Sequence, residues 1–301
     1  MEDDPIPSGL SRRAIMAAAV ALPAAAAITP TAAVAQAGKA QGRPVLARSR
    51  PVKLTGNTVL VTGGGTGLGR GFAEAMHRMG NKVIIASRRR SILEATAAAN
   101  PGMEVMTVDI RDPAAVRGFA ADVVRRYPDL NVIFNNAGIM REERLLAQQP
   151  ELADAMNTVE TNLNGHIRLT AALLPHLQTR PQAIILNTSS GLGFVPQTST
   201  PTYSATKAAM HSYTVSLRHQ LRDSRIEVFE IAPPGVRTEL TPGQSRNEEF
   251  MPVDQFIAET MAQFRQQPPP VELLVERVWV LRLAEREGRF DRMVNQLNAQ
   301  A

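Results

Sequence analysis

Short apolar runs alternate with longer amphipathic runs from residue 57 onward, and this alternation constrains the fold more than any other feature of the chain. The short runs predict β-strands, and the longer runs, with apolar residues at helical spacing, predict α-helices. Strands that alternate with helices favour an α/β fold with a doubly wound parallel sheet and helices on both faces. We expect one such domain over 54–301. Strands are predicted at 57–62, 82–86, 103–108, 132–134, 183–187 and 226–231, and helices at 67–79, 91–99, 113–126, 153–178, 201–222 and 271–286.

The segment 238–270 interrupts the alternation. It is rich in Pro, Gln and Glu and contains no predicted strand. A connection of this length inside a compact domain is usually a lid or a mobile loop. We therefore expect 238–270 to form a substrate lid and, together with 192–200, to shape the substrate pocket.

The first 37 residues differ in composition from the rest of the chain. A polar start with Arg12 and Arg13 precedes an Ala-rich apolar stretch at 14–28, and small-residue cleavage patterns follow at 33–35 and 35–37. These parts are typical of an export signal, and the paired arginines favour the twin-arginine route.

We therefore expect a twin-arginine signal over 1–37, a linker over 38–53 and a mature protein that is periplasmic or otherwise exported. The apolar stretch is shorter than the ~20 residues that span a bilayer, so no stable membrane span is expected after cleavage. Two alternatives stay open: a cytoplasmic protein, or one tethered to the membrane by an uncleaved N-terminus.

The composition excludes several kinds of site. The 301 residues include no Cys, which rules out disulfides, thiolate nucleophiles and zinc-thiolate sites. The five His are dispersed, and we expect no metal site. Aromatic residues make up only 4% of the chain, and the basic residues that give the net charge of +5 are mostly scattered. Because nucleic-acid binding uses aromatic stacking platforms and basic patches, no nucleic-acid partner is expected.

The first predicted strand runs directly into a glycine-rich turn, Thr-Gly-Gly-Gly-Thr-Gly-Leu-Gly at 62–69. Glycine lets the backbone turn tightly and approach a pyrophosphate, and the N-terminus of the next helix favours its negative charge. A glycine-rich run alone is weak evidence for a cofactor. Here a strand precedes it and a helix follows, which is the context that a Rossmann-like dinucleotide site requires.

Basic residues follow the second predicted strand. An NAD site usually places Asp or Glu about twenty residues after the turn, where it binds the ribose 2′-hydroxyl. This chain has Ser87, Arg88 and Arg89 there. Guanidinium groups bind a 2′-phosphate through charge-assisted hydrogen bonds, so the sequence favours NADP. The alternative is that these arginines form a solvated surface run.

Tyr203 and Lys207 lie four residues apart near the start of a predicted helix, so their side chains share a face. A neighbouring ammonium and a helix N-terminus both favour phenolate, which suits tyrosine to acid–base work. The spacing also occurs by chance on surface helices. However, Ser190 follows one predicted strand and the Asn-Asn-Ala-Gly sequence at 135–138 follows another. Since such sheets bind ligands at the carboxyl ends of their strands, we expect these groups to meet.

In order and spacing, these motifs resemble those of the short-chain dehydrogenase/reductase family. The resemblance rests on the turn at 62–69, the sequence at 135–138, Ser190 thirteen residues before Tyr203, and Tyr203 with Lys207. It implies an oxidoreductase that transfers a hydride between NADP(H) and a small-molecule carbonyl or secondary alcohol.

The resemblance also implies the roles of individual residues. Tyr203 would be the acid/base at the substrate oxygen, and Lys207 would lower its pKa and hold the nicotinamide ribose. Ser190 would hydrogen-bond the substrate oxygen, and Asn162 would hold a water of the proton relay. The residues expected to contact NADP are Gly63, Thr66, Gly67, Leu68, Gly69, Ser87, Arg88, Arg89, Asp109, Ile110, Asn136, Tyr203, Lys207, Val236 and Thr238.

Two features depart from the family pattern. Pro233-Pro234 stands where the family usually has Pro-Gly, and no Gly-rich last strand is found near the C-terminus. The family's tetramer interface uses that last region, so the sequence leaves open whether this protein forms a homo-oligomer. The alternative to an enzyme is a non-catalytic NADP-binding redox sensor, which is expected to have lost Tyr203 or Lys207. Both residues are present.

Overall fold

The computed structural model describes residues 47–147 and 151–299. The strands are β1 (Thr58–Thr62), β2 (Lys82–Ser87), β3 (Glu104–Thr107), β4 (Leu130–Asn135), β5 (Ala183–Thr188), β6 (Ile226–Ile231) and β7 (Glu272–Leu273). The α-helices are α1 (Gly67–Arg78), α2 (Arg90–Ala98), α3 (Pro113–Arg126), α4 (Ala153–Val159), α5 (Gly165–Gln178), α6 (Pro201–Gln220), α7 (Val253–Phe264), α8 (Trp279–Arg282) and α9 (Phe290–Leu297). The strands form one parallel sheet in the order β3-β2-β1-β4-β5-β6-β7.

Helices cover both faces of the sheet. Alternate residues of the central strands point to opposite sides, and the apolar residues on each side pack against the helices of that face. Val59 and Val61 of β1 pack with Phe72 of α1 in one core, whereas Leu60 packs with Leu169 of α5 in a second core. α7 also contributes to the first core, and α3 and α6 to the second. Strands that are apolar on both faces are typical of such a covered parallel sheet. The predicted fold class is confirmed.

The strand order reverses between β1 and β4, which are neighbours in the sheet. From β1 the chain leads through α1 to β2 on one side, and β4 leads to β5 on the other side. A crevice opens where these two connections diverge, at the carboxyl ends of β1 and β4. In folds of this class that crevice is the place for a ligand.

The sequence prediction is wrong for 271–286, which do not form one helix. Glu272–Leu273 is a seventh strand beside β6, and the one-turn helix α8 follows after a short 3-10 turn. The Val271 carbonyl accepts a hydrogen bond of 2.9 Å from the Glu230 amide at the start of this pairing. A short apolar run does not distinguish a buried strand from a buried helix, and here the pairing with β6 decides.

The predicted lid at 238–270 is too long, because α7 occupies its second half. The ring of Phe256 meets the ring of Phe72 edge-on in the core, with 6.0 Å between their centroids. The part of the predicted lid before α7 is 238–252. The buried apolar face of α7 consists of Phe256, Ile257, Met261 and Phe264.

Residues 47–53, which the sequence assigns to a linker, belong to the folded domain. The Ala47 carbonyl accepts a hydrogen bond of 2.9 Å from the Val271 amide. Val52 is 6% exposed, and its amide donates to Oε1 of Gln267 at 3.0 Å. The domain therefore begins no later than Ala47, and the linker prediction is wrong for these residues.

The predicted export signal at 1–37 and the first part of the predicted linker, 38–46, lie outside the described residues. Within 47–147 and 151–299, no helix has the length and apolar character needed to cross a membrane.

Candidate active site

The turn between β1 and α1 forms one wall of the crevice. Gly63 and Gly67 have φ values of +67° and +52°, a region that favours glycine. At Gly69 the constraint is steric: an added Cβ would lie 2.3 Å from the Gly63 carbonyl oxygen and 2.4 Å from Nδ2 of Asn136. Asn136 donates from Nδ2 to the Thr62 carbonyl at 3.0 Å and so fixes the turn from the end of β4. The turn therefore presents bare backbone to a ligand.

We expect Gly69→Ala to lower the free energy of unfolding by about 3 kcal/mol, because its methyl group would overlap the backbone of the turn. Gly118→Ala in α3 is the matched control, since an added Cβ there meets nothing within 4 Å. It should raise stability by about 0.5–1 kcal/mol. Urea unfolding measures both changes, and similar values for the two variants would contradict the steric account.

A groove of about 740 Å³ runs along the carboxyl ends of the strands. This volume is within the ~300–1,000 Å³ that is usual for ligand pockets. Of the predicted site residues, Asn162 is not on its wall but lies behind it, with 0% exposure. The others line the groove: Gly63, Thr66, Gly67, Leu68, Gly69, Ser87, Arg88, Arg89, Asp109, Ile110, Asn136, Ser190, Tyr203, Lys207, Val236 and Thr238.

Tyr203, Lys207 and Ser190 come together in this groove. α6 places Tyr203 and Lys207 on one buried face, and Nζ of Lys207 lies 5.5 Å from the centroid of the Tyr203 ring. Nζ donates a hydrogen bond of 2.9 Å to the Thr188 carbonyl at the end of β5. The Ser190 hydroxyl lies close enough to the Tyr203 phenol to lower its pKa. Phenol, ammonium and hydroxyl thus lie together in one group.

Burial controls the protonation of this group. It raises the pKa of Tyr203 to about 12, and the neighbouring Ser190 hydroxyl lowers that pKa only in part. Burial also lowers the pKa of Lys207 to about 8. The lowering of the tyrosine pKa by Lys207 stays a prediction. The phenol is therefore protonated at neutral pH and can donate a proton to an oxygen in the groove.

Asn162 acts on the backbone behind the groove. It lies in a π-helical turn, Glu160–Asn164, between α4 and α5, a geometry that is frequent at functional sites. Its side chain accepts a hydrogen bond from the Ile139 amide and donates one to the Ile139 carbonyl, both at 2.8 Å. Asn162 thereby holds the chain that continues from β4 along the groove.

The rim near β2 carries the residues predicted to bind the adenosine half of the cofactor. Arg88 and Arg89 follow β2 directly and are exposed. Asp109 forms an ion pair with Arg111, with 2.6 Å between Oδ2 and the nearest guanidinium nitrogen. The Arg111 hydrogen bond holds the pKa of Asp109 below its ordinary value. Because Arg111 neutralises this carboxylate, the rim keeps the positive charge of Arg88 and Arg89.

Glu143, in the loop after β4, caps the N-terminus of α6. Its carboxylate accepts hydrogen bonds from the Thr202 amide at 3.0 Å and the Thr202 hydroxyl at 2.8 Å. Thr202 directly precedes Tyr203, so this contact holds the start of α6 against the loop. Sequence reasoning missed Glu143 because only the tertiary fold brings residues 59 positions apart into contact.

The unusual Pro233-Pro234 pair leaves the groove wall after β6 in place. Both prolines line the groove, and the Pro233 carbonyl accepts a hydrogen bond of 2.9 Å from the Gly191 amide. Val236 forms a β-bridge with Met251, which holds the following chain beside the groove. The positions predicted to contact the nicotinamide therefore keep their place.

Comparison with known proteins identifies the family. A sequence profile of the short chain dehydrogenases matches residues 57–249. The uncharacterized oxidoreductase DltE of Bacillus subtilis is 36% identical over 243 residues, which are 80% of this chain and 96% of that protein. This chain therefore belongs to the short-chain dehydrogenase family of oxidoreductases.

Two solved structures share the fold. A short-chain dehydrogenase from Sphingobium yanoikuyae in complex with NADPH has a TM-score of 0.67 and 26% identity, covering 77% of this chain and 94% of its own. A short chain dehydrogenase/reductase from Burkholderia phymatum in complex with NAD has a TM-score of 0.69 and 20% identity, covering 80% of this chain and 96% of its own. One of these proteins thus holds NADPH and the other NAD.

Proposed function

We propose that this oxidoreductase uses NADP(H) to interconvert a carbonyl and a secondary alcohol of a small molecule. The observation that carries the proposal is that Ser190, Tyr203 and the buried Lys207 lie together in the same groove as the glycine turn. When bound there, the nicotinamide ring would supply or accept the hydride.

The residues of the groove fit a dinucleotide. Gly63 and Gly67 take backbone conformations that favour glycine, and α1 begins at Gly67, so backbone amides and the helix dipole there favour a phosphate. The choice of NADP rests on Arg88 and Arg89, whose exposed guanidinium groups suit a 2′-phosphate. Asp109 is already paired with Arg111 and does not oppose that charge.

Each residue of the catalytic group has a role in this proposal. In the reduction direction, Tyr203 donates its phenolic proton to the carbonyl oxygen while Ser190 holds that oxygen by a hydrogen bond. Lys207, still a cation at neutral pH because its pKa is about 8, stabilises the phenolate that is left. Asn162 holds the chain at Ile139 beside this group through two hydrogen bonds to its backbone. General acid catalysis of this kind contributes roughly 10²–10⁴-fold to the rate.

The segment 238–252 completes the pocket as a lid over the substrate. Four of its residues beyond Thr238 line the groove, namely Glu239, Leu240, Gln244 and Ser245. Gln244 donates to the Val236 carbonyl at 2.8 Å and so fastens the loop to the chain after β6.

An absorbance assay of NADPH oxidation tests the function. With purified protein and a panel of ketones and aldehydes, the absorbance of NADPH should fall with at least one substrate, and NADH should be oxidised more slowly. A redox sensor, the second candidate, would bind NADPH without turning over any member of the panel. That outcome, together with equal NADPH affinity in Tyr203→Phe, would replace the enzyme by the sensor.

For the compartment, we propose export through the twin-arginine route, on the strength of the N-terminal sequence alone. Fractionation of cells and N-terminal sequencing of the mature chain test it. A mature N-terminus just after Ala35 or Ala37 in an exported fraction is expected, whereas an intact Met1 in the cytoplasm would end the proposal.

A further inference from the structure

A fully buried carboxylate lies behind the catalytic group and has no part in the chemistry described above. Glu230, on β6, has a side-chain exposure of 0%. One of its oxygens accepts a hydrogen bond from the Ser189 hydroxyl, and the other lies 2.8 Å from Nδ1 of His211. A buried charge is costly unless it is paired and hydrogen-bonded, so a carboxylate in this position calls for a structural reason.

His211 extends the row of functional side chains on α6. Tyr203, Lys207 and His211 follow one another at intervals of four residues, which places them on one face of the helix. The His211 ring packs edge-on against Phe194, with 5.1 Å between the ring centroids. Thus one helix face meets the end of β5 through Lys207 and meets β6 through His211.

The contacts form a closed path around the catalytic group. Glu230 joins His211 of α6 to Ser189, the neighbour of Ser190, and the Ser190 hydroxyl lies close enough to Tyr203 of the same helix to lower its pKa. The Ser189 amide also donates to the Ile231 carbonyl at 2.9 Å. Glu230 thus links the helix that carries the phenol to the segment that carries the hydroxyl.

Three further charged groups face this pair within the described part of the chain. Glu272 of β7 and Arg282 of α8 form an ion pair of 2.7 Å close to His211. Arg218, on α6 itself, faces both carboxylates. The hydrogen bond from Glu230 raises the pKa of His211 above its ordinary value, and Glu272 adds to this while burial and Arg282 oppose it.

We propose that Glu230 and His211 are positioning residues, which hold Ser190 close to Tyr203 by tying Ser189 to α6. The inference rests on the proposed function, because its first test measures a change in kcat. Neither residue touches substrate or cofactor in this account. Glu230 supplies the link to Ser189, and His211 holds the other carboxylate oxygen from α6.

Glu230→Gln tests the link, because the amide has the same shape but no charge. We expect kcat to fall about 10-fold or more, since a hydroxyl that stabilises a developing oxyanion is worth roughly 10²–10³-fold and is here displaced rather than removed. KM for NADPH should change less than about twofold, because no cofactor contact is altered. Ser189→Ala, a smaller change that preserves the fold, should lower kcat in the same direction.

Glu227→Gln is the matched control. Glu227 lies on the same strand, three residues away and therefore on the opposite face, where it pairs with Arg50. The control loses the same charge from β6 without touching Ser189, and its kcat should stay within about twofold of the wild type. Equal losses in the Glu230 and Glu227 variants, or a kcat within twofold in both Glu230→Gln and Ser189→Ala, would overturn the proposal.

A readout without substrate separates this inference from the proposed function. Amide hydrogen exchange of a peptide covering 188–195 should be faster in Glu230→Gln and Ser189→Ala than in the wild type, and unchanged in Glu227→Gln. If the wild type turns over no carbonyl, the proposed function fails, and this exchange still decides whether Glu230 holds the segment. Unchanged exchange in both Glu230→Gln and Ser189→Ala would overturn the inference alone.

The attraction between His211 and Glu230 should depend on pH, because the pKa of His211 is raised. The His211–Glu230 attraction is complete below the ordinary histidine pKa of about 6.5 and is lost as pH rises through the elevated pKa. NMR titration of His211 should show this pKa falling in Glu230→Gln and unchanged in Glu227→Gln. The readout is the His211 titration and not the kcat profile, because Lys207, with a pKa of about 8, also loses its charge as pH rises. An equal His211 pKa in the wild type and in Glu230→Gln would contradict the pairing.

Discussion

Replacing Tyr203 with phenylalanine is expected to lower kcat for carbonyl reduction by about 1,000-fold. The variant loses the buried phenolic proton that the substrate oxygen must receive, and acid–base catalysis by one side chain contributes roughly 10²–10⁴-fold. Binding of NADPH should weaken by no more than about fivefold, since at most one hydrogen bond is lost. Steady-state kinetics and fluorescence titration with NADPH measure the two effects separately.

Tyr213→Phe is the control for that experiment. Tyr213 lies on the same helix, is partly buried and has its pKa affected by Thr170 of α5 rather than by Ser190. Loss of the Tyr213 hydroxyl should lower the free energy of unfolding by about 1 kcal/mol and leave kcat within about twofold of the wild type. A Tyr203→Phe enzyme that kept more than a tenth of wild-type kcat would show that the proton comes from another group.

Replacing both Arg88 and Arg89 with alanine is expected to raise Kd for NADPH about 100-fold and to leave Kd for NADH within about threefold. Each charge-assisted hydrogen bond to a phosphate contributes roughly 1.5–3 kcal/mol, and only NADPH carries the 2′-phosphate. The comparison of the two cofactors therefore isolates the arginines from the rest of the site. Titration calorimetry with both nucleotides gives the two constants.

Arg90→Ala controls for the loss of positive charge in this segment. Arg90 adjoins the pair but forms an ion pair with Glu94 one turn along α2, at 2.8 Å. Its replacement should change the Kd for NADPH by less than about threefold, because an exposed pair of this kind holds little energy. If the wild type bound NADH as tightly as NADPH, the assignment of NADP would be wrong.

The sheet was largely predictable, because its central strands have consistent patterns. Runs such as 58–62 and 226–231 are mostly apolar, short and bounded by turn residues, so their length and composition left little ambiguity. β7 has only two residues and exists through its pairing with β6, which no local pattern encodes. α7 was missed for the opposite reason: its apolar residues have helical spacing, but Pro, Gln and Glu around them resemble a loop.

The residues of the site were also predictable only in part. Tyr203, Lys207, Ser190 and the glycines follow strands or open helices, and residues at the carboxyl ends of parallel strands meet by construction of the fold. Arg111, Glu143 and Glu230 act through partners that they reach by packing, and a lone acid or arginine in a sequence does not reveal its partner. The pKa of Tyr203 shows the same limit: the sequence contains the cation, whereas the desolvation that raises this pKa depends on burial.

The contact of residues 47–53 with the domain bears on where a shortened chain can safely start. The Val271 amide points to Ala47 on one side, while the Val271 carbonyl binds Glu230 on the other. A recombinant chain that began at Leu54 would leave that amide open to strand addition from a second molecule, a common origin of aggregation. Processing after Ala35 or Ala37 would retain the protective segment, so maturation and solubility do not conflict.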